Sequence, residues 1–518
     1  MKKLAVLLVG IISLVTLVAC VDETTTAATT GNPVATTTAP SSVSGTTVPV
    51  TTAGQTTTVT YDEFWDEDHN GTPDWQEEEI TLRYASWQHT SAEIVTIESL
   101  MVQAFTEKYP NITVEMQIVS EDTEWDATFM TLSESENLPD VFLVRRLANF
   151  LPYNILADIT DYFDHDPDTE YIFDSVYHLG KYNGRRYAVP TFIFPQLWIV
   201  NLDILDAAGI NAPSYDWTYE QMEAIAAAAT NENTHVIGMY GAHFYYRELP
   251  KILKLRAATN AAETATARSW YAYTFDGSGF NFTDPVFLTA MNDMRDALSS
   301  GACVHQLSSD TLLDWYLSSD FDPRYNGKVA LWRDASWSAK NHFGEMLFEW
   351  DVYPGPDGIS GGNTDIAGIS YTSEHKAAAY QLLKWMSYSE EGLLTRYQLF
   401  EDYSEMVSGQ ANNYGYPVVD YGIDGYGVNQ LWETIPYGLT APGFVSPEFI
   451  EALKNGALWA NKETVGWDEA DSAAGPYISQ VINNETEFAA VSGEMQTAAD
   501  SAFAAAIAAM DALISEFS

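Results

Sequence analysis

Between Asp66 and Glu77 the chain reads Asp66-Glu-Asp68-His-Asn70-Gly71-Thr72-Pro73-Asp74-Trp-Gln-Glu77. Oxygen-bearing side chains fall at the first, third, fifth, ninth and twelfth places, and glycine occupies the sixth, where a ligating loop must turn sharply. Such a set of hard oxygen donors suits a Ca2+ ion. Two features set this loop apart: Pro73 has no backbone N–H to contribute to a paired loop, and Glu79 to Tyr84 reads as a strand, not an exiting helix. A lone loop of this kind stiffens a junction and does not act as a sensor. The other reading of the same residues is an acidic turn closing a linker.

A second group of chemistry-bearing residues follows from the elements that carry them. Ile80 to Ser86 is a strand, Ala92 to Tyr109 has helical apolar spacing, and Ile112 to Val119 alternates as a strand. Phe129 to Glu136 and Val141 to Val144 repeat the helix–strand order, which argues an α/β sheet. In such sheets ligands gather at the carboxyl ends of strands. Those ends carry Trp87-Gln88-His89 and Arg145-Arg146. Farther on stand the aromatic run His243-Phe-Tyr245-Tyr246-Arg247, and a strand from Gly327 to Trp332 leading into Arg333-Asp334-Ala-Ser336-Trp337. Ser336 can cap a helix with Trp337 in its first turn.

The segment from Gly184 to Ile210 links these regions. Arg186 to Pro190 reads as a strand, and Thr191 to Asn201 is an apolar run punctuated by Pro195 and Gln196, too broken for one ordinary core strand. Leu202 to Ala208 is a short helix closed by Gly209. A chain leaving one domain for another has this pattern. The tail from Glu485 to Phe517 is Ala-rich, with Phe503, Ile507, Met510, Leu513, Ile514 and Phe517 at helical spacing, a helix packed on the body and not a membrane span.

With 518 residues the chain accommodates two large lobes. It opens on Lys2-Lys3, an apolar run from Leu4 to Val18, and Leu17-Val18-Ala19-Cys20, the pattern of a secretory signal. Val21 to Thr60 is a Thr/Ala/Pro/Gly/Ser tract too poor in large apolar residues to fold, hence a disordered tether. The net charge of −48 disfavours nucleic acid and anionic lipid headgroups, and makes a neutral or cationic ligand easier to accommodate. Of the two cysteines, Cys303 has no partner if Cys20 is modified, so no disulfide framework is expected, and Cys303 reads as a buried apolar group.

Leu-x-Ala-Cys resembles the lipobox of bacterial lipoproteins, which implies a lipid on Cys20. The 66–77 loop is similar to those of EF-hands, dockerins and thrombospondin-type repeats. That likeness implies direct ligation by Asp66, Asp68, Asn70 and Glu77, the carbonyl of Thr72, and Asp74 through water.

The order of the remaining pieces resembles the extracellular solute-binding proteins of ABC importers, in the maltose- and oligosaccharide-binding branch. The segments that carry it are Phe105-Thr-Glu-Lys-Tyr-Pro-Asn-Ile-Thr-Val, Asn137-Leu-Pro-Asp140-Val, Tyr187-Ala-Val-Pro190 with Asn201 and Ala208-Gly209-Ile210, Gly327-Lys-Val-Ala-Leu with Ser336-Trp337, and Tyr353-Pro354-Gly-Pro356-Asp-Gly358. The resemblance runs from about Ile80 to the end. It implies a two-lobed periplasmic-binding-protein-like fold (type II), each lobe a mostly parallel sheet flanked by helices, closing by a hinge. The expected organisation is a lipoprotein signal peptide over 1–20, a tether over 21–60 and the calcium-loop-like segment over 61–79. Lobe 1 takes 80–190 plus about 363–400, and lobe 2 takes 191–362 plus about 401–518.

Carried over residue by residue, the resemblance places Phe194 at the crossover with Gln196 one pleat later. Trp337 falls on the family's aromatic platform just after Asp334, Trp87 and His89 on the first loop, Arg145 on the third, and Tyr245 and Tyr246 on the second lobe's aromatic patch. Arg247, Tyr371 and Trp432 complete the expected ligand set. The implied function is capture of a saccharide, an oligosaccharide above all, outside the membrane by a lipid-anchored monomer, and its delivery to an ABC permease whose ATPase is cytoplasmic. No catalytic residue and no required cofactor is expected, with Ca2+ at 66–77 in a structural role.

The residue chemistry suits a sugar, whose apolar C–H faces stack on flat aromatics and whose hydroxyl rim meets polar groups; the chain holds 15 Trp and 30 Tyr. Two alternatives stand beside it. A binding protein of the same fold could take another ligand, such as ferric ion on Tyr245-Tyr246. A secreted glycoside hydrolase would need a pair of carboxylates across the scissile bond. No Gly-x-Ser-x-Gly elbow, His-Glu-x-x-His helix or phosphate-binding glycine loop is visible.

Overall fold

A computed structural model describes residues 46–52, 55–61, 64–119, 124–336, 346–403, 415–421, 441–454, 456–458 and 464–515. The signal segment, Cys20 and the first part of the tether lie outside these residues, as do Trp337 and Trp432. The chain divides into two compact units, Met1–Asp62 and Glu63–Ser518.

In the first unit, β1 (Thr46–Thr52) and β2 (Gln55–Tyr61) pair antiparallel, from Thr46 opposite Tyr61 to Thr52 opposite Gln55. This corrects the reading of 21–60 as disordered throughout. Threonine and valine are β-branched, and a run of them favours extended pairing even where no large side chain is available for a core.

The second unit is built on one sheet. Lobe 1 contributes β3 (Ile80–Ala85), β4 (Ile112–Met116) and β5 (Val141–Val144), with β3 parallel to both others. The Ile97–Lys108 helix starts later than the apolar spacing alone indicates. Thr96 accepts from the Ser99 N–H and the Ser99 side chain answers to the Thr96 backbone, a capping box that fixes the first turn. A small hairpin, β6 (Lys181–Tyr182) and β7 (Arg185–Arg186), precedes the long strand β8 (Ala188–Asn201). Lobe 2 adds β9 (Ile237–Tyr240), β10 (Cys303–Val304), β11 (Val329–Ala335) and β12 (Trp350–Tyr353), with β9 parallel to β10 and β11. The return strand is β13 (Gly361–Ile369), followed by the short β14 (Tyr416–Pro417) and β15 (Ala457–Leu458).

The strand order β10-β9-β11-β8-β13-β5-β3-β4 puts the two crossing strands in the middle. Each lobe's own strands run parallel, whereas β8 and β13 run antiparallel to each other and to their outer neighbours β11 and β5. Thr191 to Asn201, expected to be too broken for one strand, belongs to a single 14-residue strand. The breaks in composition mark a change of partner: Ala188 to Pro195 pairs with β13, and Gln196 to Val200 with β11. Pro195 sits at that change, where one ladder ends and the next begins. A bulge beside Thr191, whose hydroxyl donates to the Asp365 carbonyl at 3.1 Å, absorbs the irregularity.

The carboxyl-terminal third does not go wholly to lobe 2. Val419 bridges to Ile172, the Phe173 N–H donates to the Val418 carbonyl at 2.9 Å, and the Tyr421 hydroxyl donates to the Tyr388 carbonyl at 2.6 Å. Those apolar residues therefore serve lobe 1. The Trp467–Ile482 helix buries Trp467, Ala470, Ala474 and Ile478 in the core of lobe 2. The Phe488–Ser515 helix is long and apolar enough to cross a membrane by length and composition. It packs on the body as expected: the Gln496 side chain accepts from the Phe282 N–H at 2.7 Å and donates to the Phe280 carbonyl at 2.8 Å. Cys303 is buried, and burial pushes its thiol up to about 12, so it is an inert apolar group at neutral pH.

Candidate functional site

At the crossover Phe194 lies opposite Asn363 of β13, and Gln196 lies opposite Ala335 of β11. Both predicted floor residues are there, Phe194 with 6 % of its surface exposed and Gln196 with 9 %. Asn363, which sequence reasoning did not select, is as deeply placed, and its Oδ1 is buried with no hydrogen-bond partner among the described residues. A buried amide oxygen left without a donor costs free energy that a ligand donor recovers. In the sequence Asn363 directly follows Gly361-Gly362 at the start of the return strand.

The lobe 1 wall is formed by the loops after β3 and β5. Trp87 is half-buried and meets Trp125 edge-on at 5.3 Å between centroids, and the Trp125 indole N–H donates to the Leu143 carbonyl at 2.8 Å. His89 is turned inward instead of toward the loop surface. It is 4 % exposed, its Nδ1 is 2.7 Å from the hydroxyl of Thr96, and burial lowers its pKa and keeps it neutral. Its work is to tie the loop to the cap of the following helix. Arg145 is half-buried, and the adjacent Arg146 forms an ion pair with Asp468 on the Trp467–Ile482 helix. Because that helix packs with lobe 2, the Arg146–Asp468 pair joins the two lobes.

The lobe 2 wall differs from expectation. Tyr245, Tyr246 and Arg247 occupy a short helix, His243–Arg247, whose aromatic rings pack inward. Tyr245 is 1 % exposed and its hydroxyl donates to Glu223 Oε1 at 3.1 Å; burial, then neighbouring Cys303 and Glu223, holds its pKa far above the ordinary value. Tyr246 stacks on Tyr273 at 5.4 Å, and burial pushes its hydroxyl up to about 12. A tyrosine pair committed in this way does not offer two phenolates to a ferric ion, so that alternative loses its ligands. Arg247 lies 4.7 Å over the Tyr273 ring and pairs with Asp471 at 3.8 Å.

Asp468 and Asp471, one helical turn apart, thus face Arg146 of lobe 1 and Arg247 of lobe 2. Behind Arg247, Arg333 of β11 pairs with Glu248 at 2.8 Å, both nearly fully buried. This pair is wedged against the start of the return strand, where a Cβ on Gly361 would stand 2.5 Å from Glu248 Oε1. A side chain at this position would have to displace the Glu248 carboxylate from Arg333. Asp334 is buried, accepts from the Tyr325 hydroxyl, and accepts from the Ala335 N–H at 2.8 Å. Tyr371 is exposed beyond the end of β13.

In the 66–77 loop three carboxylates converge. One carboxylate oxygen from each of Asp66, Asp68 and Asp74 lies within 4.8 Å of the others. Asp66 accepts from the N–H groups of Asn70 and Gly71 at 3.1 and 2.9 Å, and Gly71 takes φ +93°, which glycine tolerates. The Asn70 amide spans Asp68 and Glu77 at 2.9 and 2.5 Å. The convergent carboxylate oxygens of Asp66, Asp68 and Asp74 fit a hard cation, whereas Asn70 turns its NH2 to the carboxylates and its Oδ1 to the Thr72 N–H at 2.8 Å. No helix exits: a single 3-10 turn, Asp74–Gln76, leads to β3. Trp75 packs on Tyr109, and the Asn111 amide donates to the carbonyls of Trp75 and Glu78, which fixes the loop to lobe 1.

Two α/β lobes sharing crossing strands, with charged and polar groups from both at the crossover, define a ligand-capturing protein of the periplasmic-binding-protein type. The model of the bacterial extracellular solute-binding protein family matches residues 90–392, more than half of the chain, and the protein belongs to that family. Solved structures agree in fold. An ABC substrate-binding protein from Listeria monocytogenes, in complex with cycloalternan, is 19 % identical with a TM-score of 0.54 over 82 % of this chain and 98 % of its own. The cyclic alpha-maltosyl-1,6-maltose binding protein of Arthrobacter globiformis is 14 % identical, TM-score 0.58, over 82 % and 99 %. The sugar-binding protein MalE of Xanthomonas citri is 17 % identical, TM-score 0.57, over 82 % and 97 %.

Proposed function

We propose that the protein is the carbohydrate-binding component of an ABC importer, holding an oligosaccharide between its lobes and presenting it to a membrane permease driven by a cytoplasmic ATPase. The observation that carries this reading is the crossover floor, where Phe194, Gln196 and Asn363 place an aromatic ring and two amides side by side on strands shared by both lobes. An apolar sugar face and its hydroxyls need that combination. Similarly folded proteins that bind sugars support the same ligand class. Ligand that touches both lobes stabilises the closed arrangement by its difference in affinity for the two states.

Cys20 carries a lipid in this reading, and the protein works as a monomer at the outer face of the membrane. The 66–77 loop holds a structural Ca2+ through Asp66, Asp68, Asn70, Thr72, Asp74 and Glu77, with no part in ligand capture. Calorimetric titration against a broad oligosaccharide panel, with scattering to follow compaction, tests the function. Binding with compaction and no new reducing end supports it; a new reducing end would favour a hydrolase, and silence across the panel would remove the carbohydrate.

A further inference from the structure

A crevice of about 530 Å3 opens between the lobes, and none of the cleft residues described above lines it. Its lobe 1 wall is the segment from His178 through the β6–β7 hairpin, and its lobe 2 wall is Tyr271 to Ser278. The carboxyl-terminal helix closes one side with Phe503 and Asp511. The volume lies inside the ~300–1,000 Å3 range of small-molecule sites.

We propose that this crevice is a second binding site, taking a single neutral sugar ring. His178 carries the argument. Its Nδ1 lies 2.8 Å from the Tyr271 hydroxyl, and its Nε2 is buried with no hydrogen-bond partner among the described residues. If Nδ1 accepts from the phenol, Nε2 bears the hydrogen and donates; if Nδ1 donates, Nε2 accepts. A hydroxyl, able to donate or accept, serves either tautomer.

The remaining lining fits the same chemistry. Tyr271 and Phe503 offer aromatic surface, while Asn183, Ser278 and Thr464 offer amide and hydroxyl partners. The charges present are engaged on the protein. Asp276 accepts from the Ser278 and Gly279 N–H groups, Asp511 from the Tyr182 hydroxyl, and the Lys181 ammonium lies 4.9 Å over the Tyr177 ring. Two carboxylates against one ammonium leave no surplus cation to attract an anion. An occupant touching both walls would hold the lobes at this spacing, so the site is placed to bias closure.

The test is saturation-transfer NMR with D-glucose, D-galactose and D-mannose as probes on the folded 518-residue chain. The proteins compared are wild type, a Phe194→Ala/Asn363→Ala cleft variant, that cleft variant with His178→Phe or Ser278→Trp added for the hexose measurements, and Ser278→Trp alone for oligosaccharide titration. At least one hexose is expected to give transfer in the cleft variant, and transfer is expected to fall up to about tenfold in both crevice variants, the scale of a lost neutral hydrogen bond or a filled cavity. No hexose transfer in the cleft variant, or full transfer in Ser278→Trp, overturns the proposal and leaves the crevice to solvent. Ser278→Trp changes an exposed turn, so the test survives if His178→Phe fails to fold. Oligosaccharide titration of Ser278→Trp reads the cleft separately, so failure of one site is distinguishable from failure of the other.

Discussion

The crossover floor and the His243–Arg247 turn are both rich in aromatic and polar groups, yet they do opposite things. On the turn, the Tyr245 hydroxyl and the Arg247 guanidinium are engaged by the protein: Tyr245 has Glu223, and Arg247 has Asp471 with the Tyr273 ring beneath it. On the floor, Asn363 Oδ1 has none among the described residues. Aromatic density therefore marks core as readily as it marks a binding surface. What separates the two is whether the polar atoms are spent internally.

Several changes should break or sharpen that contrast. The largest effect is expected at the buried pair behind the turn. Glu248→Ala leaves the Arg333 guanidinium without its carboxylate and should cost ~3–5 kcal/mol in denaturant unfolding; a variant as stable as wild type would show that the pair does not support the turn. Ca2+ comes next. Saturating ion should stabilise the protein by ~2.7 kcal/mol at a hundredfold excess over its Kd, and Asp66→Ala should abolish the gain. A melting temperature indifferent to chelator would reduce the loop to an acidic turn.

A smaller effect is expected from Tyr245→Phe, which removes only the hydroxyl on Glu223. It should lower stability by ~1 kcal/mol and leave sugar affinity unchanged; lost affinity with unchanged stability would return the turn to the binding surface. The last effect concerns pH. Burial, followed by the charges of Arg333, His305 and Arg247, lowers the His243 pKa from 6.5 to about 3. The unfolded chain takes up that proton near pH 6.5 and the folded chain does not, so this contribution to stability is complete above pH 6.5 and is lost as pH falls from 6.5 toward 3. Acid titrations of His243→Gln should show a shallower loss over that window than wild type, and an identical slope would remove His243 from the account.

Much of the fold was legible because local signals and global pattern agreed. Gly209 takes φ +70° where the Leu202 helix ends, as its place after Ala208 indicates. The floor was legible through Phe194 and Gln196, since a strand that changes partners shows its breaks at Pro190 and Pro195. What stayed hidden depends on distant pairing. Glu98 and Arg396 are joined at 2.8 Å in lobe 1, and Asp468 reaches Arg146 from the far end of the chain, with no local mark of either. His89, Tyr245 and Tyr246 looked like ligand contacts because a loop or helix was visible and the direction of its side chains was not. Asn363 was overlooked because one asparagine at the edge of a glycine pair carries no periodic signal.

The central claim is that ligand is held at the crossover floor, and titration of Asn363→Leu with the tightest-binding oligosaccharide of the panel tests it most directly. The account predicts binding weakened by about tenfold or more, the scale of ~1.4 kcal/mol, with the melting temperature of the free protein nearly unchanged. Wild-type affinity in Asn363→Leu, with the unliganded protein fully folded, would contradict it.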